Sequence, residues 1–186
     1  YRPRAALASG VRPGIEELLA RYGLRFFVVD HHLIAGGQPR SHYRERFPAL
    51  GILAREPAPS ELPRGRPSPY RTYVVASPGG TGEAVAFVRD PRSTLQVWSR
   101  DAGYPGDFAY LEFHKKHFPG GLRYWRVTDS AQDLGTKEVY DPKHAEERSE
   151  AHARHFVSLV RDTLAEAGRD GSPPLVCAPY DAELFG

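Results

Sequence analysis

Asp181 and Glu183 flank a single residue and follow Tyr180, just past the apolar run Leu175–Ala178. Turn-forming residues from Gly171 to Pro174 bound that run, which reads as a buried strand of a parallel sheet. Open α/β sheets and barrels gather their reactive groups at the carboxyl ends of such strands. Paired carboxylates there, with a phenol alongside, point to acid/base or nucleophilic chemistry. The same residues also fit a helix start, with Asp181 as cap and Glu183 in the first turn.

A second group, Asp30-His31-His32, follows the aromatic and β-branched stretch Leu24–Asp30. It is placed to hydrogen-bond a ligand. A metal would need a third ligand, and nothing nearby in sequence supplies one; capping of a strand end is the alternative. A third group is Trp98, Tyr104 and Asp107. Flat apolar faces with a few convergent polar groups make an ordinary ligand site, although plain core burial also accounts for Trp98. His114 to His117 reads as the solvated end of a helical stretch. His152 and His155 read as polar helix positions, because no glutamate motif of a metalloprotease accompanies them.

These groups need elements to hold them. Pro13–Gly23 predicts a helix, with acids in the first turn, Ile15, Leu18, Leu19 and Tyr22 at helical spacing, and Gly23 as the stop. The strand Leu24–Asp30 follows. From Ala35 to about Arg71, repeated prolines interrupt any regular element, and so long a loop in a compact domain is usually functional or mobile. Thr72–Ala76 and Ala84–Val88, joined by Gly-rich residues, predict a hairpin. Asp90-Pro91 opens a short helix through Trp98, and Leu122–Val127 alternates like a strand. Asp141-Pro142 opens the longest helix, ending at about Ala167 before Gly168, with Phe156, Leu159, Val160 and Leu164 on one face. Helices alternating with strands, and chemistry at strand ends, predict an α/β fold.

Composition narrows the function classes. Of 186 residues, 40% are hydrophobic and 26% charged, as in globular chains. The net charge of +2 is spread along the sequence and makes no electrostatic case for nucleic acid. No run approaches a membrane span, so neither nucleic acid nor membrane is expected as a partner. The single cysteine, Cys177, lies in an apolar run and reads as a buried core thiol, which suits a reducing, cytoplasmic compartment. There is no methionine, so the chain is expected to be a segment of a longer product.

Ala178-Pro179-Tyr180-Asp181-Ala182-Glu183-Leu184-Phe185-Gly186 resembles the fourth signature of glycoside hydrolase family 57. Gln96-Val97-Trp98-Ser99, then Gly103-Tyr104-Pro105-Gly106-Asp107 and Tyr110-Leu111-Glu112-Phe113, is similar to a segment of that family's α-glucan branching enzymes. So is Gly36-Gly37-Gln38-Pro39-Arg40-Ser41-His42-Tyr43, although His42 stands where proline is common. The family also shows an Asp-X-His onto which Asp30 and His32 map.

The resemblance implies a fold, part of an irregular (β/α)7 barrel. Residues 1–186 would belong to one catalytic domain, with 35–89 an inserted loop and hairpin region. It also implies roles. Asp181 would be the general acid/base of a retaining transfer from an α-1,4-glucan to a glucan 6-hydroxyl. Tyr43, with Tyr70 as competitor, would sit over the site and exclude water. Trp98, Tyr104, Asp107, His32 and Asp30 would hold the glucan. No cofactor or metal is implied. The family's nucleophile is a glutamate of a Trp-Leu-Pro-Glu segment that this chain does not contain. Retaining chemistry needs two carboxyl groups about 5 Å apart, so these residues alone are expected to be inactive. Glucan amylases and 4-α-glucanotransferases of the family, and a non-catalytic glucan-binding protein, are the rival expectations.

Overall fold

The structure, a computed structural model, describes residues 5–7, 14–34, 67–77, 82–129 and 131–181. These form two compact units, residues 1–90 with 167–186, and residues 91–166.

The first unit is α/β with a small open sheet. Strands β1 (Ala5–Leu7), β2 (Phe26–Val29), β3 (Thr72–Ala76) and β4 (Glu83–Val88) form a four-stranded sheet in the order β1-β2-β4-β3. β1, β2 and β4 are parallel, with Phe26 opposite Val85 and Val29 opposite Val88. β3 returns antiparallel on β4, as the hairpin reading expects. The hairpin is part of the main sheet, with β4 flanked by β2 and β3.

Period-two alternation decides which side chains go inside. Phe27 and Val29 on β2, and Ala84, Ala86 and Val88 on β4, point to one face and are buried. Helix α1 (Ile15–Arg21) covers that face with Leu19 and the half-buried Ile15. Gly23 adopts φ 72° and ends the helix, a conformation that costs glycine little. Leu18 and Tyr22, expected on the buried face, are 47% and 72% exposed. A helix of seven residues presents about one stripe to a sheet, and Ile15 and Leu19 fill it. A short helix α2 (His31–Ile34) follows β2.

Four sequence readings are corrected here. Leu175–Ala178 is not a strand; it makes one parallel bridge, Arg89 to Cys177. Cys177 is half-buried, not a core thiol. In the second unit, Leu122–Val127 forms only isolated bridges, Leu111 to Arg126 and Trp125 to Val139, and residues 107–113, directly before His114, are not helical. Apolar or alternating composition marks a stretch that can pair, but a ladder needs a neighbour along its whole length.

The second unit begins with helix α3 (Pro91–Trp98) and a 3-10 turn, Tyr104–Gly106. The turn packs so closely that a Cβ on Gly106 would lie 1.8 Å from the Arg100 carbonyl oxygen, so only glycine fits. The following irregular segment closes around Lys137. Its buried ammonium donates to the carbonyls of Val127 (2.7 Å) and Asp129 and lies 3.8 Å from Glu112 Oε2. Helix α4 (Pro142–Ala167) matches its predicted bounds. Asp141 Oδ1 accepts the Lys143 N–H at 3.0 Å and caps it. Phe156, Leu159, Val160 and Leu164 are all half-buried. No helix among the described residues is long and apolar enough to cross a membrane.

Candidate functional site

In the first unit the reactive groups lie at the carboxyl edge of the sheet. Asp30 directly follows β2, and Arg89 and Asp90 directly follow β4. The Arg89 guanidinium stands 3.6 Å from Asp30 Oδ1. The segment 175–181 joins this edge through two backbone bonds. The Leu175 N–H donates to the Tyr70 carbonyl (3.1 Å), and the Asp90 N–H donates to the Cys177 carbonyl (2.8 Å). The chain then leads to Asp181, which is exposed. His32 lies half-buried in α2, with its ring edge-on to His31. So Asp30, His32 and Asp181 belong to one unit, and the segment that leads to Asp181 is attached at the sheet's carboxyl edge through Leu175 and Cys177. The segment carrying Asp181 reaches that edge as an irregular extension, not as a sheet strand. Tyr43, the loop that carries it, and Glu183 lie outside the described residues.

In the second unit the structure assembles a polar cluster that the sequence reading divided. Tyr104 stacks on His152 (centroids 4.4 Å apart, 27° between planes), and its hydroxyl lies 2.8 Å from His155 Nδ1. The Tyr110 hydroxyl lies 2.7 Å from His152 Nδ1. The other ring nitrogen, His152 Nε2, lies 3.3 Å from Asp107 Oδ2 and 3.4 Å from Arg148 Nη2. Arg148 donates to the same oxygen from Nε (2.9 Å) and Nη2 (2.6 Å), and the Ala109 N–H donates to Oδ1 (3.0 Å). Arg148, His152 and His155 recur at helical spacing on one face of α4. That stripe was the signal available in the sequence; His152 and His155 do occupy polar helix positions, and the structure adds their tyrosine partners.

Together with Gln96, Arg100 and Asp101, the residues Tyr104, Asp107, His152 and His155 line a cleft of about 560 Å3. Trp98, 39% exposed at the end of α3, does not line it. The Asp107 side chain is only 6% exposed and its oxygens face protein donors. Among the described residues no group of three or more side chains is arranged to hold a metal.

The cluster has a marked electrostatic character. Burial alone would raise the Asp107 carboxyl, but hydrogen bonds from Arg148 and Ala109 and the charges of Arg148 and His152 outweigh it and hold it below the usual range. Burial lowers the His152 imidazole, against the pull of Asp107. Burial raises the Tyr110 phenol, so it remains a donor. The sign for stability follows. Above the ordinary histidine value of 6.5, folded and unfolded His152 are both neutral. As pH falls through that value the unfolded chain takes up a proton that the folded ring resists, so stability declines until the lowered folded value is passed. The Asp107 contribution persists further and is lost as pH falls through its lowered folded value. Thermal melting between pH 7 and pH 5 is expected to fall less steeply in His152→Gln than in the unsubstituted protein; equal slopes would contradict this assignment.

No family model matches the sequence. The chain is 43% identical over 176 residues to a 1,4-alpha-glucan branching enzyme of Thermococcus kodakarensis, covering 94% of this chain and 23% of that enzyme. The crystal structure of that glycoside hydrolase family 57 enzyme, in complex with glucose and additives, superposes with a TM-score of 0.71 at 41% identity. The match covers 100% of this chain and 32% of that one. An alpha-amylase of Thermotoga maritima matches with a TM-score of 0.67 at 29% identity, covering 99% of this chain and 34% of that one. Nearly all of this chain is thus homologous to a stretch of glycoside hydrolase family 57 branching enzymes, and it spans under a quarter of the length of the curated relative.

Proposed function

We propose that this chain serves as the part of a 1,4-alpha-glucan branching enzyme that supplies the general acid/base, Asp181. The sheet would form part of the family's irregular (β/α)7 barrel. The observation that supports the reading is the attachment of the segment 175–177, four residues before Asp181, to Tyr70 and to the end of β4, the edge where Asp30 and Arg89 lie.

In this reading a glutamate from a segment outside this sequence attacks the anomeric carbon of an α-1,4-glucan. Asp181 first gives a proton to the departing glycosidic oxygen. It then takes one from the incoming glucan 6-hydroxyl, which forms the α-1,6 branch. Asp30 and His32 bind sugar hydroxyls, and Tyr43 excludes water from the glycosyl-enzyme. Trp98 and Tyr104 offer faces to sugar rings, with Asp107 holding Tyr104 through His152. The substrate is an amylose- or glycogen-like glucan and the setting is cytoplasmic glycogen-type synthesis, without nucleic acid or membrane as partners.

The match to an amylase keeps hydrolysis as the second reading. Product linkage separates the two. The full-length protein acting on amylose is expected to generate α-1,6 linkages, read as new anomeric proton signals. New reducing ends without such linkages would replace branching by amylase action, and chain redistribution without either by glucanotransfer.

A further inference from the structure

We propose that Tyr70 and Asp90 form a clasp that seats the segment bearing Asp181, making them positioning residues for the acid/base. The inference rests on the reading of Asp181 given above and assigns the protein groups that hold it in place.

The segment 175–177 is bonded to the sheet edge at Leu175 and at Cys177, and each of these bonds involves one member of this pair. The Tyr70 carbonyl accepts from Leu175, and the Asp90 N–H donates to Cys177. The two points are tied to each other by a side-chain bond, the Tyr70 hydroxyl to Asp90 Oδ1 at 3.2 Å. Asp90 is 1% exposed, so this carboxylate is fixed in a dry place where a hydrogen bond is directional and costly to lose. Neighbouring groups stiffen the Tyr70 side. Its N–H donates to Ser68 Oγ (3.2 Å), and Arg71 Nη1 donates to its carbonyl (3.0 Å). Arg71 Nη2 meanwhile reaches the Ala167 carbonyl and the Asp170 carboxylate, which anchors the stretch that precedes the Asp181 segment. A half-buried, irregular segment with a single bridge has little ladder of its own. Its position is therefore set by the clasp.

Misplacing a reacting group by about 1 Å costs on the order of a hundredfold, and general acid/base assistance is worth about 10²–10⁴-fold. The signature of a displaced acid is dependence on the leaving group. A glucan oxygen must be protonated to depart, whereas fluoride departs with little help. In the full-length protein, Asp90→Asn and Tyr70→Phe are each expected to lower kcat on amylose by about 10- to 100-fold with KM within about twofold. The first-turnover release of fluoride from α-maltosyl fluoride should stay within about twofold of the unsubstituted protein. A parallel loss on both substrates, an effect on KM alone, or unchanged amylose turnover would overturn the clasp. Tyr70→Phe keeps the ring and leaves the backbone contacts possible, so it decides the matter if Asp90→Asn does not fold. Asp181→Asn serves as the control. If that variant keeps its amylose turnover, the acid/base reading itself fails, an outcome distinct from failure of the clasp.

Discussion

Asp181→Asn is expected to cut glucan transfer by the full-length protein by about 10²–10⁴-fold, the usual worth of a positioned acid/base group. The amide has the shape of the carboxyl group but cannot yield a proton to the departing oxygen or accept one from the acceptor hydroxyl. Both half-reactions slow, so external nucleophiles that need no deprotonation, azide among them, should restore part of the rate on an activated donor. Asp181 is exposed, and surface substitutions of this kind usually change stability by less than about 0.5 kcal/mol. A lost rate with an unchanged melting temperature is therefore the expected pair of measurements. An undiminished rate on amylose would remove Asp181 from the mechanism and favour a protein that binds glucan without turning it over.

Asp107→Ala is expected to have the opposite profile, with stability falling first. The carboxylate receives two N–H groups of Arg148 and one of Ala109, and stands beside His152 Nε2. Its removal strands these donors. Breaking a fully buried ion pair costs about 3–5 kcal/mol, but the Arg148 side chain is 37% exposed and water recovers part of the loss. A cost of about 2–3 kcal/mol remains, or roughly 5–10 °C in melting temperature for a chain of this size. Asp107→Asn, which keeps an acceptor for Ala109 or Arg148, should lose less. Melting curves of the three proteins check the order, and equal curves would show that the cluster contributes nothing to the fold. Because His152 stacks on Tyr104, Asp107→Ala should also raise KM for amylose if Tyr104 is a sugar platform.

What could be read from the sequence depended on how far each signal had to reach. The helix from Asp141-Pro142 to Gly168 was legible because its cap, its fixed first turn and its stop act within a few residues. The hairpin of β3 and β4 was legible for the same reason. The parallel pairing of β2 with β4 was not, because it joins stretches about sixty residues apart. Leu175–Ala178 has the composition of a strand, but composition says nothing about whether a partner runs alongside. His152 and His155 were set aside because their partners, Tyr104, Tyr110 and Asp107, lie more than forty residues away. Asp30 could be read at a strand's carboxyl end because β2 itself was legible from its aromatic and β-branched run. The roles of Tyr70 and Asp90 left no trace in sequence at all.

The pairing of β2 with β4 also sets an order of events in folding. Phe26 meets Val85, so a loop of roughly sixty residues must close before this parallel contact forms, an entropic cost that local structure avoids. The helix Pro142–Ala167 can gather its own turns early. Arg89 and Asp90 cannot receive Cys177 until β4 is in place. The segment that leads to Asp181 is thus among the last to be seated, after most of the helix content has been restored.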